Sequence, residues 1–293
     1  MASKIPYNKV FDVFKAGRES GKSAEETVSV LILLGDDADQ DHIASLREGF
    51  LAEKVGGLVS VRPLSDPTAP DAPYDIAVLV PGSDDEDLKR AVAQLASRGT
   101  PCAIIVRSSV DSYDFSYLGY QDFEPETIAA TDGEVLLERL AQWIIGATDK
   151  HRAFAANFSF IRPVEVRSLI TSCAIQNATV GAINLIPGSD LPIMTTNQAK
   201  LALDIAAAYG KGLTASRLPE MAGVVGAGFA YRALARTLLG LVPGVGWALR
   251  DGLGYAGTVA TGNAIKARFE ASRHTAESTD TALAVRTESI EKR

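Results

Sequence analysis

A chain of 293 residues exceeds the usual size of one domain, and two cores of roughly 100 to 150 residues each are expected. The formal charge of −7 provides no basic surface to track phosphates, which argues against nucleic acid as a partner. Three histidines and two cysteines, with no paired ligand spacing, make no recognisable zinc site, and Cys102 and Cys173 are expected to be reduced core thiols.

In chain order, residues 1–27 open with Val10, Phe11, Val13 and Phe14 at helical spacing, which predicts an N-terminal helix. Met1 to Lys15 lacks the apolar core of a secretory signal, so a cytoplasmic protein is expected. Gly17-Arg18-Glu19-Ser20-Gly21-Lys22-Ser23 imitates the end of a phosphate-binding loop. Its glycines are one residue too close, and it comes after a helical pattern where such a loop comes after a strand. A helix end and turn, with Ser23 capping the next segment, is the plainer expectation.

From residue 28 to 149, short apolar runs alternate with amphipathic stretches, the order of a doubly wound α/β domain with a mostly parallel sheet. Strands are predicted at Val28–Leu34, Leu58–Leu64, Asp75–Val80, Cys102–Arg107 and Thr127–Ala130. Ile76 to Val80 shows no polar alternation, as a central strand covered on both faces requires. Helices are predicted at Asp39–Glu53, Asp84–Ala96 and Gly133–Ile145. The first strand ends at Gly35 and runs into Asp36, Asp37, Ala38, Asp39, Gln40, Asp41 and His42. A nucleotide loop there would need converging backbone N–H groups, a lysine and a hydroxyl. The last three of its positions, counted from Gly35, are instead Gln40, Asp41 and His42. The acidic cluster is also what a helix N-terminus favours without any ligand.

The order and loop contents of this half resemble a degenerate small GTPase domain of the Era type. Asp66-Pro67-Thr68-Ala69 stands where that family has its Asp-x-x-Gly motif, with the glycine replaced. Ser108-Ser109-Val110-Asp111 stands at the guanine motif and retains only Asp111, and Ala129-Ala130-Thr131-Asp132-Gly133 is similar to the Ser-Ala loop. The resemblance makes Gly35, Asp41, His42, Asp66, Asp111 and Ala130 the positions of a degenerate nucleotide site in a P-loop GTPase-like fold.

Residues 150–270 change to long stretches rich in Ala, Gly, Leu and Val, which predicts an all-α domain of helical hairpins. Helices are predicted at Val164–Ile183 and Pro192–Tyr209, with Ser189 or Asp190 as cap, Pro192 in the first turn and Gly210 in the left-handed position after the end. A second pair, Ala222–Leu241 and Trp247–Phe269, brackets Pro243-Gly244-Val245-Gly246. Pro187, Asp190, Gln198, Tyr209-Gly210, Pro243, Gly246, Gly257, Thr258 and Gly262 together resemble the YcjF-type helical family of unknown function. That domain often lies directly after an Era-like GTPase domain, which strengthens the reading of the first half. Residues 271–293 are polar and read as a flexible tail.

Arg232 and Arg236 interrupt the most apolar hairpin, and each is costly at a bilayer centre, by about 2.5 to 3.5 kcal/mol. A soluble bundle and a reversible attachment to the inner membrane surface both remain open at this point. The chain has no nucleophile elbow, no carboxylate pair at catalytic spacing and no histidine beside an evident base, so no catalytic residue and no cofactor are expected. The expectation is a pseudo-GTPase-like protein whose helical domain mediates self-association or binds a protein partner. The alternative is a peripheral membrane protein whose C-terminal hairpin engages the bilayer.

Overall fold

The computed structural model describes residues 18–66, 73–83, 85–110, 113, 115, 123–183, 191–211 and 255–273. They fall into two compact units, Lys22–Glu165 and Met1–Gly21 with Val166–Arg293.

The first unit is built on five parallel strands: β1 (Val28–Leu34), β2 (Gly57–Pro63), β3 (Ile76–Val80), β4 (Cys102–Val106) and β5 (Glu126–Ala129). Each lies within a residue or so of the predicted run. Their order across the sheet is β2-β1-β3-β4-β5. The apolar runs explain the arrangement, because β3 and β4 are buried at every residue and so must be central. Helix α1 (Gln40–Gly49) carries the chain from β1 to β2, and α2 (Asp85–Arg98) carries it from β3 to β4. These two crossovers run in opposite directions along the sheet, and right-handed connections therefore place their helices on opposite faces. Accordingly α1 packs with α3 (Gly133–Ala147). Leu88, Ala91, Val92 and Leu95 of α2 meet Leu31, Leu33, Leu79 and Ile104 in the core of the other face.

Helix α1 stops four residues before the predicted Glu53. Phe50 takes the C-cap position and its ring packs edge-on against Phe158 and Phe160, at 5.2 and 5.1 Å. Phe158 closes a short helix, α4 (His151–Asn157), that the sequence pattern did not reveal. Continuing the sheet unit, Glu53 N donates to Asn157 O, and Arg162 donates from Nη2 to Glu53 at 2.8 Å. His151 Nδ1 lies 2.9 Å from the buried Glu165 carboxylate. Residues 150–165, placed with the helical half by composition, thus pack within the sheet unit.

The second unit contains most of α5 (Arg162–Ile183), α6 (Leu191–Ala208) and a helix over residues 255–273. Pro192 is the second residue of α6. Gly210 has φ 67° and its N–H reaches Ala207 O, the left-handed stop expected for that helix. Residues 18–25 are helical, so Gly21, Lys22 and Ser23 belong to a helix, and Ser23 lies inside it instead of capping the next segment. Among the described residues, no helix is long and apolar enough to cross a membrane. The predicted helix Ala222–Leu241 and the turn with Pro243 and Gly246 lie outside the described residues, as do Asp111, Pro187 and Asp190.

Candidate functional site

In an open doubly wound sheet, ligands bind beyond the carboxyl ends of the strands, where neighbouring crossovers depart to opposite faces and leave a crevice. Here that point falls between β1 and β3. The loops leaving those two strands do not part. Gly35 N donates to Val80 O at 2.9 Å, extending the pairing one residue past β1. A Cβ at Gly35 would collide with the backbone of Gly82, and a Cβ at Gly82 would collide with the Asp37 carboxylate. Both positions require glycine because the two turns are in contact. Asp37 then bridges them, accepting from Ser83 N at 2.7 Å. Hydrogen bonds from the Ser83 side chain and backbone hold the Asp37 carboxyl below its ordinary range.

The donors a phosphate would use are also engaged. Asp39 is the N-cap of α1 and accepts from Asp41 N at 2.9 Å and His42 N at 3.1 Å. Arg107, directly after β4, donates from Nε to Asp39 and from Nη2 to Asp41, the latter at 2.9 Å. Partial burial would raise the Asp39 pKa, but the Arg107 bond and the N–H groups of the helix outweigh it and leave the carboxyl below its ordinary 3.8. An anion arriving at the head of α1 would therefore have to displace a carboxylate already matched to both the backbone and a guanidinium.

The residues singled out from the sequence are brought partly together. Gly35, Asp41, His42 and Ala130 share the carboxyl rim of the sheet. His42 is not a ligand facing the crevice: it is buried, with Nε2 2.7 Å from Ala130 O. Ala130 N in turn donates to Val106 O, so this contact ties α1 to the ends of β4 and β5. Asp66 lies after β2, exposed, in a turn closed onto Pro63 O. The sequence pattern alone did not single out Arg107, Gly82 and Ser83. Pro81-Gly82 after the central strand was the available signal for a tight turn, and a basic residue at the end of β4, close to an acidic loop, was the other.

In the helical unit, Gln198, Gly257 and Thr258 are all buried. Thr258 accepts from Asn177 Nδ2 at 2.9 Å, and Asn177 Oδ1 accepts from Asn197 at 2.8 Å, a polar seam between α5, α6 and the 255–273 helix. Gln198, on α6 beside Asn197, has no hydrogen-bond partner for either amide atom among the described residues. Ile170 fills the space a side chain at Gly262 would need.

Chemically the rim offers carboxylates engaged as caps. The Cys102 thiol is no nucleophile either, because burial pushes its pKa up to about 12. Among the described residues no group of His, Cys, Asp or Glu could hold a metal ion. No protein-family model, curated protein or solved structure matches the chain.

Proposed function

We propose that the protein is a non-catalytic, pseudo-GTPase-like platform in which the helical unit mediates oligomerisation or binds a protein partner. The observation that carries this reading is Asp39. Its carboxylate occupies the N-terminal donors of α1 and is locked there by Arg107, so the chain supplies its own anion at the point where a nucleotide would place a phosphate. The contact of Gly35 with Gly82 supports the same reading, since it draws together the two loops between which a ligand would enter. Surrounding carboxylates at Asp36, Asp37 and Asp41 add repulsion toward a polyphosphate.

The resemblance to an Era-like domain joined to a YcjF-type domain supplies the rest: a nucleotide fold retained as scaffold, and a cytoplasmic protein whose recognition lies in the helices. Isothermal titration with GTP and GDP in the presence of magnesium tests it. No heat of binding is expected from the intact protein, and micromolar affinity for either nucleotide would refute the proposal.

A further inference from the structure

Strand β2 forms one margin of the sheet, and among the described residues no strand lies beyond it. Val28 N donates to Gly56 O, and Leu64 N donates to Leu34 O. Backbone groups alternate sides along a strand, so residues 56, 58, 60, 62 and 64 face β1. Gly57, Val59, Val61 and Pro63 face outward.

Natural sheets blunt such margins with charge, proline or a covering group. The opposite margin is treated that way. β5 is only four residues long, and Arg139 donates to Ala129 O, the carbonyl that faces away from β4. Among the described residues the blunting on β2 is confined to its ends. Pro63 has no N–H to give, and Gly57 N is turned inward to Lys54 O. Between them Val59 and Val61 present both N–H groups and both carbonyls. This stretch is also apolar where it is exposed: Leu58 is 53% and Val61 58% accessible, and Val55 just before the strand is 98% accessible.

The geometry points to a second copy of this chain as the occupant, its β2 pairing antiparallel with the first about a twofold axis at Ser60. In this register Val59 faces Val61 of the other copy and exchanges both hydrogen bonds with it, and the twofold repeats the pair. All four outward groups of the two valines are then satisfied. Shifting the register by a residue at either end strands a carbonyl or meets Pro63. Val59 and Val61 form β-branched cross-strand pairs on one sheet face. On the other face Leu58 lies opposite Arg62, whose aliphatic stem can cover it.

Charge selects the antiparallel sense. A parallel in-register pair would set Arg62 beside its own copy. The antiparallel pair separates the two by four residues, about 14 Å at the usual rise and beyond the screening length of physiological salt. Such an isologous contact closes on itself and stops at two copies. The pairing is independent of whether the rim of the sheet binds nucleotide, and it assigns self-association to the sheet edge, which leaves the helical unit the second of its two proposed roles, binding a protein partner.

Ser60 faces its own copy as a non-hydrogen-bonded pair, with Cα atoms about 4.5 Å apart, inside the span a disulfide bridges. Cys102 and Cys173 are buried and do not compete. Mild oxidation of Ser60→Cys is therefore expected to yield a covalent dimer on non-reducing gels, whereas Leu58→Cys, offset from its own copy by four residues, is expected to stay monomeric. Light scattering on the unmodified protein is expected to give twice the 31.0 kDa of one chain, falling to one chain in Val61→Lys with an unchanged circular dichroism spectrum. A monomeric wild type, a dimer indifferent to Val61→Lys, or crosslinking no better at position 60 than at 58 overturns the proposal.

Discussion

The Asp39 carboxylate accepts two backbone N–H groups and a guanidinium, and each contact favours its charged form. Replacement by alanine removes the cap and is expected to cost about 1 kcal/mol in urea unfolding at neutral pH. Replacement by asparagine retains a good cap and removes the charge, so it isolates the electrostatic part. Because the folded-state pKa lies below the unfolded value, the charge contributes stability that is fully present above about pH 4, the unfolded carboxylate range. That contribution is lost as the pH falls through the lower, folded value. The stability gap between wild type and Asp39→Asn should accordingly be flat near neutrality and shrink on acidification below 3.8. A gap that widens toward acid would mean that burial outweighs the Arg107 and backbone hydrogen bonds and raises this pKa instead. Arg107 is half-exposed, so its own removal is expected to cost less than the cap does.

At the scale of elements, the three inner strands were legible because burial on both faces writes a nearly continuous apolar run. Val-Ser-Val-Leu-Ile-Leu-Leu, Ile-Ala-Val-Leu-Val and Cys-Ala-Ile-Ile-Val need no distant partner to be recognised. The end of α1 was not legible, since Phe50 leaves the helix for rings more than a hundred residues away. The site divides in the same way. Gly35 and the acidic loop could be read locally, whereas Arg107 meets Asp39 only because β1, β3 and β4 are neighbours in the sheet. In the helical unit, Gln198 stands out in the sequence as part of a motif, but its burial with no partner among the described residues is a packing fact. Asn177 and Gln198 should therefore respond oppositely to mutation. Asn177→Ala takes one hydrogen bond away from Thr258 and one from Asn197 and is expected to cost about 1 to 3 kcal/mol. Gln198→Met keeps the volume, removes two polar atoms that have no partner among the described residues and is expected to raise Tm. Thermal unfolding of both variants checks the pair, and a lowered Tm for Gln198→Met would show that the amide is recognised after all.

For the whole molecule, the position at which composition changes differs from the position at which packing changes. Composition turns helical near residue 150, yet α4 and the first turn of α5 complete the sheet unit. Phe154 and Phe158 are fully buried there, Phe158 and Phe160 flank Phe50, and the buried Arg162 meets Glu53. A fragment of residues 22–149 loses all of these partners at once, and deletion of a single buried phenylalanine side chain already costs about 3 to 5 kcal/mol. That is a large share of the roughly 5 to 15 kcal/mol that stabilises an ordinary domain. A fragment of residues 22–169 retains them, together with the His151–Glu165 pair and one further turn of α5. The longer fragment is expected to unfold cooperatively in urea with native-like circular dichroism. The shorter one should be unfolded or several kcal/mol less stable, with its midpoint shifted to correspondingly lower urea. Equal stability of the two fragments would mean that the aromatic cluster around Phe50 is dispensable to the sheet, and would move the boundary of its folding unit back to residue 149.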